Sequence, residues 1–372
     1  MSLVPPYVTT ASRCRASGRP HGQKGKNVKR IIAFAFVISV IFVSGQGASA
    51  QQELRLATWG PPTTYFYTEV VLPWAEAVSR DSNGTILIKH YPGGALANAG
   101  NTIDRVMDGV ADIGWGLQGL DPQKFIKTSV VELPIFSQET SEEGAVALWN
   151  LYGKGLISSD YKDIEVFGMS SFAGSAITSR GGPIRKLEDV KGLKLGVSGR
   201  IRGDTLSALG AVPMAFPIDQ IYLAIARGTI DGTYGSLTAA RQFKTYEVAT
   251  HFLDESFSGA AAMLIMSKKR FDALPEPARA SFRKHSGVAL SRALGVSNEG
   301  EVTRVRAMLG EFAQQGKVSP IDRLSTEESE RWRKAMEPVV AAWVTSVPDG
   351  QRVLDAFRAE VNALRAGGDK TR

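Results

Sequence analysis

Val106-Met107-Asp108-Gly109-Val110-Ala111-Asp112-Ile113-Gly114-Trp115-Gly116 and Ile225-Ala226-Arg227-Gly228-Thr229-Ile230-Asp231-Gly232-Thr233-Tyr234-Gly235 repeat one pattern 119 positions apart. In register, Gly109 falls on Gly228, Asp112 on Asp231, Trp115 on Tyr234 and Gly116 on Gly235. Each copy reads as the last turn of a helix stopped by glycine, a tight turn, and a short strand that ends in an aromatic. Ligands of open α/β sheets bind beyond the carboxyl ends of the strands. One copy in each of two α/β lobes would therefore set Trp115 and Tyr234 facing each other across a cleft. Helix, glycine, strand is also a common α/β connection, so the pattern alone fixes the class more firmly than the contact.

Residues 1–50 stand apart from this pattern. They hold seven Lys or Arg and no Asp or Glu, and Lys29-Arg30 opens onto a 13-residue apolar run, Ile31 to Val43. Ala48-Ser49-Ala50 follows as a small-x-small cleavage site, so 1–50 reads as a signal peptide and Gln51 as the first mature residue. The run is short of the roughly 20 residues a membrane span needs. Thirty residues before the apolar run is long for an n-region, so translation is expected to begin at or near Val28. Without the leader, 37 basic residues face 37 acidic ones, so the formal charge of +7 falls to zero. Nothing in the mature chain then favours nucleic acid or an anionic membrane. The one cysteine, Cys14, leaves with the leader, which suits an oxidising compartment.

Alternating strands and helices run through the mature chain. Leu54 to Thr58, a helix from Tyr65 to Arg80 interrupted at Pro73, Thr85 to Tyr91 and a helix from Asn101 to Asp108 lead to the first copy. Leu195 to Val197, a helix from Asp204 to Leu209, Val212 to Ala215 and a helix from Asp219 to Ala226 lead to the second. Gly259 to Met266 reads as a buried strand returning to the first lobe. Beyond Pro275 the pattern is helical, with a capping box at Ser325 to Glu328. The expected division is residues 51–173 with 264–300 as lobe 1, and 174–263 with 301–372 as lobe 2 plus C-terminal helices.

The chemistry of catalysis is missing. His90, His251 and His285 are scattered, no metal-ligand spacing occurs, and no G-x-S-x-G elbow exists. Gly114-Trp115-Gly116-Leu117-Gln118-Gly119 matches G-x-G-x-x-G, but Leu120-Asp121-Pro122 follows where a phosphate-binding helix must begin. The expectation is thus no enzyme, no cofactor and no metal. Aromatic and amide residues near strand ends remain: Trp59, Tyr65, Trp115, Gln118, Tyr234 and Phe257, which supply apolar walls with polar handles.

Six blocks, in order, resemble one known family. They are Tyr91 to Leu96, Asp104 to Ile113, Val131 to Phe136, Leu187 to Leu195, Ala208 to Pro213 and Ile221 to Gly232. The chain resembles the solute-binding subunits of tripartite ATP-independent (TRAP) transporters, of the dicarboxylate-binding type, from Gln51 to about Leu364. The resemblance implies a type II periplasmic-binding-protein fold, with a cleft between two lobes and a long bridging helix. It further implies a periplasmic protein that hands a small organic solute, such as an organic acid, to the membrane subunits of a TRAP transporter; oligomeric state is left open. An extracytoplasmic sensor module docking on a receptor kinase is the alternative. The chain departs from the family at Gly196, where an arginine usually pairs with a solute carboxylate, and at Tyr234-Gly235, where Glu-Asn is common. Arg180, Arg200 and Arg202 are the candidates to supply the absent guanidinium, with Lys194 a weaker one.

Overall fold

The computed structural model describes residues 51–135, 140–173, 175–216 and 218–368. The leader expected over 1–50 lies outside them, as does Phe136 of the third family block. The first lobe is built from β1 (Gln52–Ala57), α1 (Leu72–Asp81), β2 (Ile86–Tyr91), α2 (Thr102–Met107), β3 (Ile113–Leu117), α3 (Ser141–Gly153) and β4 (Ile164–Ser171). The second comprises β5 (Ser175–Ser179), β6 (Lys194–Val197), α4 (Arg200–Ala208), β7 (Val212–Ala215), α5 (Ile221–Ala226), β8 (Gly232–Ser236), α6 (Thr238–Gln242) and β9 (His251–Glu255). The chain then returns through β10 (Ala261–Ser267) and ends in α7 (Lys268–Asp272), α8 (Glu276–His285), α9 (Val288–Gln314), α10 (Thr326–Ser346) and α11 (Gly350–Gly368).

Each lobe carries a mixed five-stranded sheet of the same topology, ordered β2-β1-β3-β10-β4 and β7-β6-β8-β5-β9. The two echoed sequences are β3 and β8 with the turns that lead into them, and they hold equivalent places. Gly109 and Gly228 both take positive φ, 74° and 71°, the left-handed conformation that stops a helix without Cβ strain. Asp112 then accepts from the Arg55 amide at 2.8 Å, and Asp231 from the Lys194 amide at 2.9 Å. Both carboxylates thus pin the turn to the neighbouring strand, β1 or β6. The Asp–Gly echo fastens the central strand of each sheet to its neighbour, and its aspartates are structural.

Two connectors cross between the sheets, and they pair with each other: the Phe172 amide donates to the Ala260 carbonyl at 2.9 Å and Ala260 returns the bond at 3.2 Å. A third link is α9. Its early turns, with Leu290 and Leu294, pack on the first sheet, whereas Val305 and Leu309 belong to the core under β9. The ion-paired chain Glu69–Arg304–Glu301–Arg241 runs across it from one lobe to the other.

The last helix corrects the expected division. Val353, Leu354, Phe357 and Val361 do form one apolar face, but they are buried in the first lobe's core with Ala147, Leu148 and Leu151 of α3. Residues 301–372 therefore do not all follow lobe 2. Helix α10 is shared, Trp332 and Met336 lying in the second core and Val339 and Trp343 in the first. Pro73 starts α1 after a π-turn at Tyr67–Val71, which keeps the expected helix in two pieces. Ser325 caps α10 by accepting from the Glu328 amide at 3.2 Å.

Candidate functional site

A cavity of about 100 Å³ lies where the carboxyl ends of the parallel strands of both sheets meet the crossing connectors. Trp59, Leu117, Phe172 and Ala260 border it from the first lobe and the connectors. From the second come Gly196, Ser198, Arg202, Phe216, Ile221, Tyr234, Ser236, Thr238, Gln242 and Phe243, among others. Rings and aliphatic side chains form most of the wall. Arg202 is the one charged side chain lining it among the described residues.

Arg202 stands in the first turn of α4, which begins at Arg200 and so earlier than the sequence pattern placed it. It is 7% exposed. Its Nη2 donates to the Tyr234 carbonyl at 3.1 Å, and its guanidinium lies 4.8 Å from the centroid of the Tyr234 ring. These contacts fix the plane of the group. Its Nε finds no acceptor among the described residues, and neither does the indole Nε1 of Trp59 nor the Nε2 of Gln242. Three residues that line one aromatic-walled space, one of them cationic, thus each carry a buried N–H donor without a protein partner. A buried donor left unpaired costs roughly 1–3 kcal/mol, so the arrangement is suited to a guest that brings acceptors, and a carboxylate fits it best.

Gly196 is part of the same wall. A Cβ built there would stand 2.8 Å from Ile230 Cδ1, so aliphatic side chains occupy the direction an arginine at this position would take.

The structure separates the sequence-predicted residues. Trp59, Arg202 and Tyr234 share the cavity. Gln118 and Arg200 line a neighbouring space of about 20 Å³, room for one water. Gln118 Nε2 donates there to the Tyr161 hydroxyl at 3.3 Å. Tyr65 belongs to neither space: its hydroxyl is buried and donates to Asn298 Oδ1 at 2.5 Å, a bond between the first lobe and α9. Burial pushes that phenol far above its ordinary range. Arg180 is exposed at the opposite end of β5, where Nη1 donates to the Ile225 carbonyl at 3.3 Å.

Trp115 is the main correction. It is 0% exposed and stacked on Phe66 with centroids 4.7 Å apart, inside the first lobe's core. Tyr234 is also a core residue, stacked on Phe257 at 5.6 Å with its hydroxyl 2.6 Å from Ser258 Oγ, but part of it borders the cavity. The two aromatics occupy matching strands and do not face each other. Both sides of these sheets are covered by helices, so a large residue on β3 is buried beneath one. Phe172, Phe216, Gln242 and Phe243 escaped the sequence reading because they come from connectors and short helices with no motif of their own.

Fold and cavity together define a two-lobed protein that encloses a small solute. The chain belongs to the bacterial extracellular solute-binding proteins, family 7, the DctP family, whose model matches residues 56–346. A TRAP solute-binding protein from a marine metagenome, specific for aromatic acids and solved with 3-hydroxybenzoate, is similar at 24% identity over 85% of this chain and 99% of its own, with a TM-score of 0.78. A TRAP periplasmic solute-binding protein from Bordetella bronchiseptica with bound mandelate is similar at 25% identity, over 84% of this chain and 99% of its own, with a TM-score of 0.76. A Comamonas testosteroni protein named outer membrane transporter protein TsaT is 25% identical over 91% of this chain and its own full length. No helix among the described residues is long and apolar enough to cross a membrane, and no group of three His, Cys, Asp or Glu there is placed to hold a metal ion.

Proposed function

We propose that this periplasmic protein captures an organic acid with one carboxylate on an apolar, ring-sized body, and delivers it to the membrane subunits of a TRAP transporter without altering it. Arg202 receives the carboxylate in place of the guanidinium that Gly196 lacks. The observation that carries this reading is the buried Arg202 Nε with no protein acceptor, set in a wall of aromatic side chains. One lining cation matches one anionic charge, since a second buried carboxylate would lack a partner and cost several kcal/mol. The aromatic acids bound by the marine and Bordetella proteins support the same class of guest. Trp59 Nε1 and Gln242 Nε2 add neutral hydrogen bonds from either side of the cavity.

Calorimetric titration of the mature chain tests this. 3-Hydroxybenzoate is expected to bind, benzyl alcohol to fail, and Arg202→Met to abolish binding of the acid. Tighter binding of a dicarboxylate such as succinate would overturn the single-charge assignment.

A further inference from the structure

We propose that Glu132 is a proton-binding contact between the lobes, whose carboxyl takes up a proton as the cleft closes over a solute carboxylate. The proposal rests on the reading above that Arg202 receives that carboxylate. Glu132 ends the single helical turn Thr128–Glu132 of the first lobe and is 3% exposed. Its carboxyl is wedged between Gly119 of the first lobe and Gly199, the residue that opens α4 in the second. A Cβ on Gly199 would stand 3.3 Å from Glu132 Oε2 and 3.2 Å from the Gly119 carbonyl oxygen, so the lobes meet closely here. No hydrogen bond to the carboxyl is found among the described residues.

The surroundings offer this carboxyl little compensation. From α4, Arg202 acts on it through space and Arg200 lines the same small cavity at its exposed mouth. Gln118 is the polar neighbour from the preceding turn. Within its own turn, Thr128 is engaged by Asp160 at 2.8 and 2.9 Å and by Tyr161 at 2.9 Å. Trp343 of α10 adds an apolar wall. Burial therefore pushes the Glu132 carboxyl up to about 7, with Arg202 pulling the other way. A solute carboxylate on Arg202 removes that pull. One buried guanidinium does not balance two carboxylates, and a proton on Glu132 resolves the competition.

The sign follows from linkage. Separated lobes return Glu132 to water and to the ordinary glutamic acid range, so the closed form binds the extra proton. Closure is favoured on the acid side and loses that advantage as pH rises through about 7. Affinity for a monocarboxylate is then expected to be roughly 25-fold weaker at about pH 8 than at about pH 5.5.

The test is titration calorimetry with 3-hydroxybenzoate in buffers of differing ionisation enthalpy, on the mature wild type and Glu132→Gln. The wild type is expected to take up close to one proton per solute at about pH 6 and at least about half at pH 7. Glu132→Gln, nearly isosteric, is expected to bind with no uptake and a flat pH profile. Absence of uptake in the wild type, or uptake that survives Glu132→Gln, overturns the proposal while leaving the solute reading intact. Should 3-hydroxybenzoate bind neither protein, that reading falls, and infrared titration of the closed form, held shut in crystals, decides the proton contact alone. A protonated-carboxyl band that titrates near pH 7 and vanishes in Glu132→Gln upholds it; its absence from the wild type overturns it.

Discussion

Arg202 holds Tyr234 twice, through a 3.1 Å hydrogen bond from Nη2 to the backbone carbonyl and through the ring 4.8 Å beneath its guanidinium. A planar group is required for both contacts at once, and a lysine ammonium is a point charge that satisfies at most one. Arg202→Lys keeps the charge but loses the oriented Nε. It is expected to weaken 3-hydroxybenzoate binding by roughly a hundredfold, about 2–3 kcal/mol for a charge-assisted bond. Titration calorimetry measures this, and an affinity within threefold of wild type would show that charge alone recruits the solute.

Trp115 and Tyr234 are expected to respond differently to mutation. Trp115→Ala empties a fully buried site against Phe66 and should cost about 3–5 kcal/mol of stability by urea unfolding. The affinity of the remaining folded protein should be nearly unchanged. Tyr234→Phe removes the hydroxyl bonded to Ser258 and should cost about 1 kcal/mol with the Arg202 contacts retained. A large loss of affinity in Trp115→Ala at full stability would restore that residue to the cavity.

How far the sequence could be read follows from what kind of signal each feature leaves. Helix-stopping glycines and turn aspartates act locally, so Gly109, Gly228, Asp112 and Asp231 were legible, and with them the matched topology of two lobes. Burial of Trp115 is decided by which side of β3 it takes. Gly114 and Gly116 face Val106, Thr102 and Ile103 closely enough that a Cβ would meet them at 2.6 to 2.9 Å, which turns Trp115 to the other, equally covered face. Alternation along the strand announces two faces but not which one opens on a cleft. Arg202 could be listed as a candidate cation but not selected from three, because the choice depends on where α4 starts.

Glycines test the sheet directly. A Cβ on Gly232 would fall 1.8 Å from the Thr178 carbonyl oxygen, a backbone atom fixed by the β5–β8 pairing. Gly232→Ala is therefore expected to give insoluble or unfolded protein. Gly153, at the end of α3, has nothing within 4 Å of its added Cβ and no positive φ. Gly153→Ala should stabilise by about 0.5–1 kcal/mol. Thermal unfolding of the soluble fraction checks both, and a soluble, cooperative Gly232→Ala would contradict the strand register.

Glu301 on α9 ties the bridging helix to both lobes through ion pairs. Its carboxylate is 2% exposed and accepts from Arg241 of α6 at 2.6 and 2.5 Å and from Arg304 at 2.9 Å. Arg304 continues to Glu69 of the first lobe at 2.8 Å. Both arginines are nearly half exposed, so solvent screens part of each attraction, but the buried carboxylate depends on them for its charge compensation. Removing Arg241 strands that charge, whereas Glu301→Gln removes the charge itself and leaves two arginines that water can reach. Arg241→Met should therefore cost more, about 2–4 kcal/mol, than Glu301→Gln, about 1–2 kcal/mol. Adding Glu301→Gln to Arg241→Met should recover part of the loss, a coupling of at least about 1 kcal/mol in a double-mutant cycle. Strict additivity of the two substitutions in urea unfolding would mean that α9 is held across the lobes by packing alone.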